Sequence, residues 1–139
     1  MATSSMQERI ETVRAIPLFS TLPNAALERL IECANEVEVP AGHVLVESHM
    51  EGSGLFVIEE GTCVVEAPKR KAELGPGEFF GELALLTPEA LRTARVRAAT
   101  PVRVLAISRF DFRSMLQSEP TLAIAMLEAL AERLVKATS

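Results

Sequence analysis

The chain is short of several things, and each shortage removes a class of function. Cysteine occurs twice, as Cys33 and Cys63, which is no disulfide framework and points to a reducing compartment. Histidine also occurs twice, as His43 and His49. The pair flanks a turn with no H-x-H spacing, so the converging imidazoles of a metal-loaded jelly roll are missing. No serine or cysteine stands in a recognisable catalytic motif, and a nucleophile needs a base held beside it; no enzymatic activity is expected. Cations are outnumbered: 14 Lys and Arg against 19 Asp and Glu leave a net charge of −5. That balance supplies no sequence-independent pull on a polyphosphate backbone. The pattern G-x-x-x-x-G-K-[ST] occurs nowhere, so a triphosphate site is not expected. The N-terminus MATSSMQERIETVR lacks the apolar core of a signal peptide, and no run approaches membrane-spanning length. A soluble cytoplasmic domain is the expectation. Internal repeats and low-complexity stretches are absent as well.

What remains is ordinary globular material, 139 residues with 48% hydrophobic and 24% charged, enough for one domain around one core. The pattern reads as a single domain over 1–139, with helices over about 6–35, a β-roll over about 36–107 and helices over about 109–136. The expected fold is mainly β with flanking helices: an antiparallel sandwich or jelly roll with N-terminal helices and C-terminal lid helices. Residues 6–16 predict a short amphipathic helix stopped by Pro17. Ser20, Thr21 and Pro23 signal a second helix, in which Leu27, Leu30 and Ile31 share a face. From Val37 the period becomes two. Val37 and Val39 alternate with Glu36 and Glu38, and Pro40-Ala41-Gly42 turns the chain. Short β runs follow at Val44–Val46, Leu55–Ile58, Thr62–Val65, Arg95–Ala98 and Val102–Ile107, punctuated by Gly52, Gly54, Gly61 and Gly75-Pro76-Gly77. Ser108 is placed to cap a helix from Arg109, and Ser118 with Pro120 to start the last one. There Leu122, Met126, Leu127, Leu130 and Leu134 fall at helical spacing opposite Glu128, Glu132 and Lys136, predicting one apolar and one charged face.

Between Gly77 and Thr93 the alternation stops. Gly81-Glu82-Leu83-Ala84-Leu85-Leu86 favours one or two helical turns. Gly81 leaves room for a ligand at the first turn, where the N–H groups of Glu82, Leu83 and Ala84 would face an anion. Arg92, at the far end, offers a charge-assisted pair of hydrogen bonds to the same anion. Amides and one guanidinium suit a single phosphate. Glu82 would repel that phosphate at close range, but fits if its carboxylate accepts from a hydroxyl of the same ligand. Phosphate and hydroxyl side by side describe a nucleotide with a compact sugar-phosphate.

These residues carry a resemblance. Phe80-Gly81-Glu82-Leu83-Ala84-Leu85, followed by Arg92-Thr93-Ala94-Arg95-Val96, resembles the phosphate-binding cassette of the cyclic nucleotide-binding domain family, here spanning 79–96. The family includes bacterial catabolite activator proteins, regulatory subunits of cAMP-dependent kinase and cyclic nucleotide-gated channels. IPLFSTL, PAGHVLV, LFVIEEG, LGPGEFFGE and ISRFDFRSML extend the likeness over about 15–135. The chain departs from the common pattern at Glu47–Gly52, where a Gly-Asp-type turn is usual, at Leu91, often a proline, and at Arg95, often a threonine. Alternation with an inward Val96 predicts an outward Arg95.

The resemblance implies roles. Glu82 would accept from the ribose 2′-hydroxyl, and Arg92 would pair with an exocyclic phosphate oxygen. The backbone N–H groups of Leu83, Ala84 and Thr93 would complete the cradle between Phe80-Gly81 and Ala94. Val65 on an inward strand face and Arg133 on the last helix would meet the base, Arg133 by stacking. No cofactor is implied. The ligand would be cAMP, with cGMP second because a hydroxyl at Thr93 also suits guanine. Binding would be signalled through the last helix. No recognition module follows Lys136–Ser139, so this chain is not expected to bind nucleic acid directly. It resembles a sensory half whose further partner is a second copy, in a homodimer, or an attached or separate output domain. The competing reading is an interaction or dimerisation module of the same fold whose pocket has ceased to bind; intact Glu82 and Arg92 weigh against it.

Overall fold

The computed structural model describes residues 5–47, 54–67, 70–81 and 94–138. These form two compact units: Ala34–Phe112, and a helical unit made from the chain up to Cys33 and from Arg113 onward.

The helical unit begins with α1, Met6–Arg14, capped by Ser5, whose Oγ accepts from the Glu8 N–H at 3.1 Å. That contact satisfies a donor the first turn would otherwise strand. Ile10 and Val13 are buried on its inner face. A single 3-10 turn, Pro17–Phe19, follows; with the proline at its head it needs no N–H there. α2, Asn24–Cys33, buries Ala26, Leu27, Leu30 and Ile31, the face its spacing predicts. Two helices close the chain. Ser108 caps α3, Arg109–Ser118, accepting from the Asp111 N–H at 3.1 Å. α4 runs Pro120–Thr138.

The single apolar face predicted for α4 is corrected by the structure. Leu122 and Met126 are buried, whereas Leu127 and Leu134 are 67% and 66% exposed, beside exposed Ile124 and Val135. At 100° per residue these two sets lie on opposite sides of the helix; the spacing rule merged them because steps of three and four link both. No helix among the described residues is long and apolar enough to cross a membrane.

Among the described residues the second unit holds eight strands: β1 Asn35–Val39, β2 Val44–Val46, β3 Gly54–Glu60, β4 Cys63–Ala67, β5 Arg70–Leu74, β6 Phe79–Phe80, β7 Arg95–Ala98 and β8 Val102–Ser108. They make two four-stranded sheets, in the orders β1-β8-β3-β6 and β2-β7-β4-β5. Every pair is antiparallel and the pairing is nested: β1 with β8, β2 with β7, β3 with β6, β4 with β5. This is the jelly-roll order, and the expected antiparallel β fold with helices before and after it is the one observed.

The core lies between the sheets. Ile58, Phe80, Val102 and Val104 of the first sheet pack with Val46, Cys63, Val96 and Ala98 of the second, and Val39, Leu45, Phe56, Val65 and Leu74 edge in. Burial pushes the Cys63 thiol pKa upward. β7 shows the simple alternation of a one-sided strand, Val96 and Ala98 in, Arg95 and Arg97 out. β8 does not: Leu105 and Ile107, on its other face, are as deeply buried as Val104, which is why its sequence reads as a near-continuous apolar run. β1 departs from its predicted alternation, for Val37 remains 37% exposed. β5 and β6 lie outside the sequence expectation. R-K-A-E-L offers too little apolar alternation to announce an edge strand, and Phe79–Phe80 is too short for a period to show.

Candidate functional site

The jelly roll places the interrupted segment at a crossing between sheets. β6 belongs to the first sheet and β7 to the second, so the chain between Phe80 and Arg95 passes from one to the other. Both ends of this passage are secured. At the entry, the Gly77 N–H donates to Ile58 O at 2.8 Å and the Ile58 N–H to Glu78 O at 2.9 Å. Phe79 and Phe80 then pair with Val57 and Phe56 of β3. The Phe80 ring stacks on Phe56 with centroids 5.1 Å apart and planes 16° from parallel, so Phe80 is spent on the core and anchors the cassette's start. Gly81 follows at φ +94°, a left-handed conformation that a side chain strains. Its glycine thus has a backbone reason, beside the open ligand approach read from sequence.

At the exit, half-buried Ala94 precedes β7. Val96 lies opposite Val65 of β4, and Val65 packs against the core between the sheets, the inward placement expected of it. Arg133 lies on α4 in the helical unit. Glu82, Leu83, Ala84, Arg92 and Thr93 lie outside the described residues, as do His49 and the 48–53 part of the atypical turn.

Arg95 points away from Val96, as alternation predicts, but it is not a lone surface charge. Glu66 of β4 lies opposite Arg95 in one direction and Lys71 in the other. Its Oε1 accepts from Arg95 Nε at 3.3 Å and stands 3.2 Å from Arg95 Nη2. Its Oε2 accepts from Arg97 Nη2 at 3.4 Å and lies 3.9 Å from Lys71 Nζ. The Glu66 side chain is only 19% exposed. The hydrogen bond from Arg97, then the nearby charges of Arg97 and Arg95, hold its carboxyl below the usual carboxylate range against the opposing effect of burial. Sequence reasoning missed this cluster. The only signal was the R-x-R alternation of β7, and its partner sits on a strand distant in sequence.

A second ionic knot ties the first sheet. Arg103 of β8 reaches Glu60 at 2.8 Å, Glu59 at 3.6 Å and Glu36 at 3.9 Å. Burial works against its charge, but Glu60, Glu59 and Glu36 outweigh it and raise the guanidinium's pKa. Arg103 also lines a cavity of about 400 Å³ with Glu38, Val39, Pro40, Glu60, Pro101 and Val102. None of the sequence-predicted site residues lines it.

The nested antiparallel strands define a jelly roll, and comparison with known proteins carries this further. The model of the cyclic nucleotide-binding domain matches residues 36–119. A cyclic nucleotide-gated potassium channel of Rhizobium etli is 37% identical over 88% of this chain. The match covers 34% of the channel, so the chain spans about a third of that relative's length. The crystal structure of the Thermus thermophilus catabolite activator protein superposes with a TM-score of 0.76 at 26% identity, covering 88% of this chain and 60% of that one. The regulatory domain of Toxoplasma gondii PKA, crystallised with cAMP, gives 0.77 at 17% identity over 91% of this chain and 50% of that one, a likeness of fold. The chain belongs to the cyclic nucleotide-binding domain family.

Proposed function

We propose that this chain is a cAMP receptor working as one sensor domain, without catalysis of its own. The observation that carries this reading is the connection between β6 and β7. It leaves the first sheet through a left-handed Gly81, carries G-E-L-A-L and then Arg92 and Thr93, and enters the second sheet opposite β4. In this reading the amides of Leu83 and Ala84 with the Arg92 guanidinium hold the cyclic phosphate, and Glu82 accepts from the ribose hydroxyl. Val65 and Arg133 are assigned to the base. The T. gondii structure holds cAMP and the R. etli relative is gated by a cyclic nucleotide, which supports the ligand class. The preference for cAMP over cGMP rests on the cassette's resemblance, since Thr93 suits either.

The reading is tested by equilibrium binding of cAMP and cGMP to the wild type and to Arg92→Ala. Loss of a charge-assisted hydrogen bond costs about 1.5–3 kcal/mol, so cAMP should bind the variant roughly ten- to a hundredfold more weakly. Unchanged affinity would remove Arg92 from the site, and tighter binding of cGMP by the wild type would overturn the choice of base.

A further inference from the structure

We infer that Glu66 is a positioning residue for the arginine end of the cassette, acting through Arg95 on the place where β7 begins; the inference rests on the cyclic nucleotide reading above. The geometry has three parts. First, Arg92 and Thr93 run directly into Ala94 and Arg95, so whatever sets the first residue of β7 sets where the cassette ends. Second, that first residue is held on the outer face by a carboxylate of the neighbouring strand. Glu66 lies opposite Arg95 in the ladder and binds it through Oε1 while Oε2 binds Arg97. Third, without Glu66 the same face would carry Arg95, Arg97 and Lys71 side by side. Like charges directly across strands or close on one face destabilise the pairing, and here the strain would fall on Arg95, the first residue of β7. On the inner face of the same two strands, Val65 pairs with Val96. Glu66 thus steadies from outside a pair that also bears Val65, assigned to the base. A binding constellation holds its geometry only as well as the residues that fix it.

Two effects of removing Glu66 have opposite signs, which makes the inference testable. Deleting a negative charge strengthens the general pull on an anionic ligand, whereas loosening the start of β7 weakens binding. Glu73 provides the control. It is exposed, lies on the same face opposite Val64, and carries the same charge.

The experiment measures cAMP affinity for the wild type, Glu66→Gln, Glu66→Asp and Glu73→Gln, with folding followed by circular dichroism at the assay temperature. Glu66→Gln should bind cAMP about tenfold more weakly, Glu66→Asp should recover most of that loss, and Glu73→Gln should match the wild type. If Glu66→Gln is not folded, the pair Arg95→Gln and Lys71→Gln decides: each removes one cation from this face, but only Arg95→Gln should weaken binding. Affinity of Glu66→Gln within twofold of wild type, tighter binding, or equal losses in the two members of either control pair would overturn the role of Glu66. A wild type that binds neither cAMP nor cGMP would instead overturn the receptor reading itself.

Discussion

Single residues show where chemistry and backbone make separate demands. Gly61 joins β3 to β4 at φ +91°, and a Cβ built there would lie 2.2 Å from Pro101 O. Neither strain can be relieved by a rotamer. Gly61→Ala should therefore cost at least the 1–2 kcal/mol typical of a left-handed alanine, about 2 kcal/mol or more with the clash, read as a lowered melting temperature. A melting temperature equal to wild type would show that the turn rearranges. Glu66 yields a prediction about pH. Its carboxyl is held below the usual range by Arg97 and Arg95, with Lys71 also facing it. A depressed carboxylate contributes stability that is fully present above its unfolded value, about 4.3, and is lost as pH falls through the lower folded value. The stability difference between wild type and Glu66→Gln should be full at neutral pH and close as the solution is acidified below that range. A difference that persists in acid would mean that packing, not charge, holds Glu66. Gly81 was legible in the sequence as a special position, because a glycine where the β alternation stops is a local signal, and it takes a left-handed φ. The Glu66 cluster was not, since Glu66 and Arg95 become neighbours only through the β4–β7 ladder.

Elements were legible in proportion to the length of their pattern. α2 and β8 have long, consistent runs and fall where expected. β5 and β6 are short, and pairing with a neighbour makes them strands more than their own composition does. α4 shows how a correct element can carry an incorrect face. Its apolar residues occupy two sides, Leu122 and Met126 buried, Ile124, Leu127 and Leu134 exposed. The receptor reading assigns signalling to this helix, because a ligand shifts an equilibrium only by its difference in affinity between states. Nuclear magnetic resonance of the amides of residues 118–136 should show shifts that move on saturation with cAMP. Identical spectra with and without ligand would remove α4 from the signal.

The whole molecule was legible as a class and not as an arrangement. Turn glycines at short intervals announced a β-roll, but strand order came only from long-range pairing, which no local pattern encodes. That order gives the cassette its place, since the chain between Phe80 and Arg95 must cross from one sheet to the other. The crossing is held at its described ends, Phe80 stacked on Phe56 and Arg95 bound to Glu66. The chain spans 34% of the R. etli channel it matches. The central claim concerns binding, and isothermal titration calorimetry of the chain with cAMP tests it most directly. The account predicts saturable heat at one cAMP per chain. No heat up to millimolar cAMP, and none with cGMP, would contradict it.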